Sequence, residues 1–146
     1  MKKELAYLLG YFYADGHLRH NKYPILEVVR SDGDNIIKYL DLLKIKYTTK
    51  YRFRKNSKKE QVSINICQDS KYINIFIDTM KDKLSMNKIC NIIKNKYLNY
   101  FIRGFFDGDG CINISKNNHC RLYFYGTYEQ DWSIIFSIFK NLNIKY

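Results

Sequence analysis

Apolar side chains recur at helical spacing through residues 4–15, at Leu5, Leu8, Leu9 and Phe12, and Gly16 stands where a helix would stop. The period then changes. Leu18–His20 and Tyr23–Arg30 flank a short turn, with the only proline, Pro24, near a strand start where a missing N–H does least harm; they predict a hairpin. Ser31 or Asp32 can cap a following helix whose stripe is Ile36, Ile37, Leu40, Leu43 and Ile45, ending near Tyr47. Thr48–Arg54 and Gln61–Cys67 alternate apolar and polar positions around residues 55–59, the pattern of a second hairpin. Asp69 or Ser70 starts a helix to about Lys81, a polar link reaches a helical stretch near Lys88–Lys94, and a further helix begins near Tyr97.

Two segments of this pattern repeat in kind. Leu8-Leu9-Gly10-Tyr11-Phe12-Tyr13-Ala14-Asp15-Gly16 and Ile102-Arg103-Gly104-Phe105-Phe106-Asp107-Gly108-Asp109-Gly110 both read apolar-x-Gly-aromatic-aromatic-x-small-Asp-Gly. Downstream, Ile36 to Tyr47 is echoed by Ile134 to Tyr146 in the same order. The chain therefore divides into a full repeat over residues 1–96 and a shorter copy over 97–146, an α+β arrangement of helices alternating with hairpins.

Gly10 and Ala14, like Gly104 and Gly108, are small residues four apart on one helix face. Glycine inside a helix costs about 1 kcal/mol relative to alanine, so its use at matching positions of two helices points to close backbone approach about a pseudo-two-fold axis. That packing sets Asp15 and Asp109 side by side at the last turns of their helices, where unpaired carbonyls already disfavour negative charge. Either Asp-Gly alone reads as an ordinary turn, but the pair together reads as a hard-cation site suited to Mg²⁺.

These motifs resemble the two signature helices of the LAGLIDADG homing endonucleases, and Leu98 through Ile112 is especially similar to the second of them. The first departs at Tyr13, where the family often has an acidic residue. The resemblance implies an αββαββα repeat with antiparallel sheets forming a DNA-binding saddle. It implies a metal-dependent DNA endonuclease, with Asp15 and Asp109, beside Gly16 and Gly110, at the Mg²⁺ or Mn²⁺ site. A basic residue assists in the family, and Lys88, in Ser85-Met86-Asn87-Lys88, is the best match to it, with Lys83 as second choice. The alternative on the same fold is a non-catalytic nucleic-acid-binding protein such as an intron maturase or a DNA-binding regulator.

Charge narrows the partner. Lys and Arg number 25 against 14 acidic residues, a formal net charge of +11 in 146 residues. Lys44, Lys46, Lys50, Arg52, Arg54, Lys55, Lys58 and Lys59 fall in one stretch without an acidic residue. Alternation puts Lys50, Arg52 and Arg54 on one face and Tyr51 and Phe53 on the other, toward the helices, with Val62, Ile64 and Ile66 also inward. Gln61, Ser63 and Asn65, then Asn113, Arg121 and Tyr123 of the second copy, complete an outward polar face fit to read duplex DNA in the major groove. An RNA-binding module would show more stacking aromatics on its strands, and a membrane binder would carry its charge along an amphipathic helix.

Cys67, Cys90, Cys111 and Cys120 form no CxxC pair and read as reduced thiols, and no apolar run reaches the roughly 20 residues that cross a bilayer. An intracellular protein is expected. Its abundant Lys, Ile, Asn and Tyr, against alanine only at positions 6 and 14, suggest an AT-rich phage, organellar or bacterial genome. The second copy lacks a counterpart of residues 48–96, so its strands should leave an open edge and Phe136, Ile138 and Phe139 few partners. Self-association, or a second polypeptide completing that half, is the resulting expectation.

Overall fold

The computed structural model describes residues 1–53, 58–81, 83, 86–116, 120–126, 130–141 and 143. It is a mixed α+β structure. Helix α1 (Lys3–Asp15) runs into a hairpin of β1 (Gly16–Arg19) and β2 (Tyr23–Val29), followed by α2 (Arg30–Leu42). Strands β3 (Tyr47–Phe53) and β4 (Glu60–Ile66), then helices α3 (Ile73–Lys81) and α4 (Met86–Ile92), complete the first part. After a 3₁₀ turn at Asn95–Tyr97 come α5 (Leu98–Asp109), β5 (Gly110–Ile114), β6 (Cys120–Phe124) and α6 (Ser133–Asn141). The order helix, hairpin, helix thus occurs twice. No described helix is long and apolar enough to cross a membrane.

The first sheet is antiparallel with strand order β1-β2-β4-β3, so its central pair joins strands from two different hairpins. Leu26 and Val28 lie opposite Ile64 and Val62 in that pair, and all four are buried beneath the helices. α1 lies at the centre. It buries Leu5, Leu8, Leu9, Tyr11, Phe12 and Tyr13, which span most of its circumference, because the sheet, α2, α3 and α5 surround it. Phe12 meets Phe76 of α3 edge-on at 4.9 Å.

α2 begins at Arg30 with Val29 as its N-cap, so neither Ser31 nor Asp32 caps it; β2 passes straight into the helix. It also ends before the expected Tyr47. Lys44 adopts φ 55°, its N–H donates to Asp41 O at 2.9 Å, and the Ile45 N–H donates to Leu40 O at 2.9 Å. That is a Schellman stop, in which buried Ile45 folds back onto buried Leu40 and only mimics the helical period. After α6, Asn143 likewise adopts φ 55° with its N–H on Lys140 O.

Face and cover must be separated in β3. Tyr51 pairs with Val62 and so lies on the helix side, yet Tyr51 is 43% and Phe53 68% exposed. The expectation that they meet the helices is corrected: β3 is the sheet edge, and Tyr51 instead takes the Arg30 guanidinium 5.3 Å from its ring centre. In the second copy, Ile112, Ile114 and Leu122 occupy the helix side of β5 and β6 but remain exposed, as does Phe136 on α6.

Candidate active site and nucleic-acid interface

α1 and α5 touch through their glycines. A Cβ added at Gly10 would lie 2.0 Å from Phe101 O and 2.8 Å from Phe105 N; one at Gly104 would lie 2.0 Å from Tyr7 O and 3.0 Å from Tyr11 N. Tyr7 and Phe101, Gly10 and Gly104, and Tyr11 and Phe105 are each 94 residues apart, so every contact has its mirror across a pseudo-two-fold axis. One turn further on, the equivalent positions Ala14 and Gly108 face each other, and a Cβ on Gly108 would lie only 2.5 Å from that of Ala14. The axis passes between them, and the next residues are Asp15 and Asp109.

Both carboxyls sit above their ordinary pKa of 3.8. For Asp15 the largest cause is the loss of solvent around the carboxylate, followed by the charge of Asp109; Lys83 opposes both. Asp15 is exposed by surface area, but the protein crowding its carboxylate still removes hydration from the charge. For Asp109 desolvation again leads, and Lys83 again opposes it. Lys83 is pushed below its ordinary value by burial, against the pull first of Asp109 and then of Asp15. Its Nζ donates to Ala14 O at 3.1 Å and to Gly16 O, two carbonyls from the end of α1.

Lys83 therefore holds the place expected of Lys88. Lys88 is exposed on α4, beside a cleft it lines with Asp78, Lys81, Asn91 and Ile92, and it is not among the charges that shift Asp15 or Asp109. Gly16 O accepts from Lys83, and Gly110 opens β5 opposite Phe124 with its N–H on Phe106 O. Tyr13, which in sequence only departs from the motif, is a buried hub: edge-on to Phe101 and Phe105, with its hydroxyl donating to Lys83 O and accepting from Gln130 Nε2 at 3.2 Å. Its equivalent in the second copy, Asp107, faces outward and accepts from Tyr7 Oη at 2.9 Å.

Among the described residues no group of three or more His, Cys, Asp or Glu side chains gathers as a metal cluster. The two carboxylates supply oxygen donors only, crowded and raised in pKa in a way that a cation would relieve, which fits a hard divalent ion completing its shell with water and phosphate oxygens. The crowding has a measurable cost. A carboxyl whose folded pKa is raised destabilises the fold as pH climbs past its unfolded value, here about 3.8. Asp15→Asn is thus expected to raise the metal-free thermal midpoint by a few degrees at pH 7, and to give no gain near pH 3; calorimetry at the two pH values checks both.

The outward faces carry the expected polar set. Lys50 lies opposite Ser63, Arg52 opposite Gln61 and Thr48 opposite Asn65 on the side away from the helices, where His17 and Arg19 of β1 also project. Arg52 is tied to Glu27 at 2.7 Å, so its charge is partly met within the sheet. Lys58 and Lys59 are exposed, whereas Arg54 and Lys55 lie outside the described residues. In the second sheet Asn113 is opposite Arg121 and Cys111 opposite Tyr123, and Tyr123 stacks on Tyr125 at 6.5 Å. No protein-family model matches the chain, and no curated protein matches it significantly.

Proposed function

We propose that the chain is a sequence-specific DNA endonuclease of the LAGLIDADG homing type, on that family's fold, hydrolysing phosphodiester bonds at the end of the α1–α5 seam. The observation that carries this reading is the meeting of Asp15, Asp109 and Lys83 at the shared C-terminal end of two glycine-packed helices. A structural helix contact needs no crowded acid pair there, and two raised carboxyls beside one lysine are a costly arrangement without a functional return.

Asp15 and Asp109 would hold Mg²⁺ or Mn²⁺, which when bound supplies activation of water and stabilisation of the departing oxygen. The chain's own part is positional. The aspartates keep concentrated negative charge at one spot, and Lys83, with two N–H donors held by carbonyls, would offer its third to a phosphate oxygen as charge grows on it. Asp15 runs directly into β1 and Asp109 into β5, so a duplex lying across the outward faces of both sheets would bring its backbone near the aspartates. Incubating the protein with a random duplex library and Mg²⁺, then sequencing the ends, tests the reading: recurrent cuts at one sequence are expected, and uncut DNA with every divalent ion tried counts against it.

Two further outcomes separate the parts. Lys83→Met is expected to lower the cleavage rate about 10²-fold, while Lys88→Met stays within twofold in the same assay. On the DNA side, Lys50→Ala with Arg52→Ala should reduce the slope of log affinity against log salt by about 0.9 for each phosphate that is no longer neutralised. Titrations at several salt concentrations read that slope, and an unchanged value moves the DNA surface off β3.

A further inference from the structure

Lys83 is fixed at both ends by the last turns of one helix. Its ammonium is held by Ala14 O and Gly16 O, and its main-chain carbonyl accepts from the Tyr13 hydroxyl. Tyr13 is 2% exposed, and its ring is clamped edge-on between Phe101 and Phe105 at 5.6 Å each, so the hydroxyl has little freedom. The symmetry of the motif helices stops here. At the equivalent position α5 carries Asp107, which turns to Tyr7 and Arg103 on the outside of the seam. A pseudo-two-fold site with a tyrosine anchor on one side only can fix its lysine from that side, and among the described residues the Lys83 ammonium then feels both aspartates.

We propose that Tyr13 is a positioning residue for Lys83: its buried hydroxyl ties the Lys83 main chain to α1, and Gln130, arriving from the segment before α6, buttresses that hydroxyl from the second copy. The link makes the second copy a support for the lysine that serves the site. This role rests on the nuclease reading only for its catalytic consequence; the anchoring itself is a statement about Lys83.

Acetylation of the folded protein by acetic anhydride without DNA, with modification at each lysine followed by peptide mass spectrometry, reads the anchor directly. Tyr13→Phe keeps the ring that packs on α5 and removes only the hydroxyl, so Lys83 should acetylate at least about fivefold faster while Lys88 does not change. Placing p-aminophenylalanine at position 13 restores a donor at the ring tip and should return Lys83 to within twofold of its original rate. Gln130→Ala removes the buttress but leaves the bond to Lys83, so it should raise the rate about twofold, between the original chain and Tyr13→Phe. Equal Lys83 rates in the original chain and Tyr13→Phe overturn the proposal, as does an effect of Gln130→Ala as large as that of Tyr13→Phe. In cleavage, Tyr13→Phe should lower kcat about tenfold with KM within twofold, and a change confined to KM also overturns it. The acetylation arm needs no activity, so a chain that cuts no duplex defeats the nuclease reading and leaves the anchor to be decided by the lysine rates.

Discussion

Asp15→Asn and Asp109→Asn should each lower DNA cleavage by about 10³-fold or more while duplex affinity at low salt stays within about twofold. The two halves of that expectation have separate causes. On the proposed reading affinity for duplex DNA would come mainly from phosphate contacts, and the groups proposed to make them, Lys50 and Arg52 among them, lie on β3 and not on the motif helices. On the nuclease reading turnover needs both carboxylates, because each ends one of two equivalent helices and no group of three or more His, Cys, Asp or Glu side chains gathers among the described residues to replace one of them. The charge balance makes the variants informative beyond loss of rate. Asp109 is one of the groups that raise the Asp15 carboxyl, so Asp109→Asn removes that repulsion and leaves Lys83 to Asp15 alone. Metal binding, followed by the stabilisation that a bound ion gives, should weaken in each single variant and vanish in the double one. Cleavage by both single variants at the original rate would falsify the catalytic assignment.

How far the sequence reveals this site depends on the range of the signal. The paired Gly-x-x-x-small faces and the two Asp-Gly ends are local and duplicated, and duplication is what turns two ordinary helix ends into one recognisable place. Strand faces are equally legible, since alternation alone puts Val62, Ile64 and Ile66 on one side and Gln61, Ser63 and Asn65 on the other. What covers a face is a tertiary fact. Tyr51 and Phe53 have the right parity and still stay exposed, because the pairing of β2 with β4 makes β3 the edge, and no local pattern encodes that pairing. Ile45 misleads for a related reason: a residue that folds back after a Schellman stop lands where a continued helix would have put it.

Lys83 is the harder case. In a chain so rich in lysine, spacing cannot separate one from another, and motif position alone favours Lys88. Only the fold reveals which ammonium reaches Ala14 and Gly16. A signal does exist in Tyr13. It breaks the correspondence of the two motifs at one position, and a bulky hydroxyl-bearing residue where the partner helix has an acid calls for a polar partner inside the protein. Departures from an internal repeat are as informative as the repeat, because they mark where one site needs two unlike halves.

The same symmetry sets the largest stability effect. Gly10→Ala would place a methyl 2.0 Å from Phe101 O, and Gly104→Ala one 2.0 Å from Tyr7 O, in both cases against backbone that cannot rotate away. The helices must separate instead, and overpacking of this kind costs about 3 kcal/mol, or about 10 °C in thermal midpoint for a chain of this size. Gly33→Ala meets the Val62 Cγ1 methyl at the same 2.0 Å, but a side chain has some room to move, so its loss should be smaller. Because Gly10 and Gly104 line one seam, the first methyl opens the space that the second needs. The double variant should therefore lose less than the two single losses combined, a coupling that thermal melts of all three proteins would measure. Strict additivity would mean that the two glycines act at independent contacts, and a midpoint change under about 2 °C in both single variants would mean that the seam is looser than these distances require.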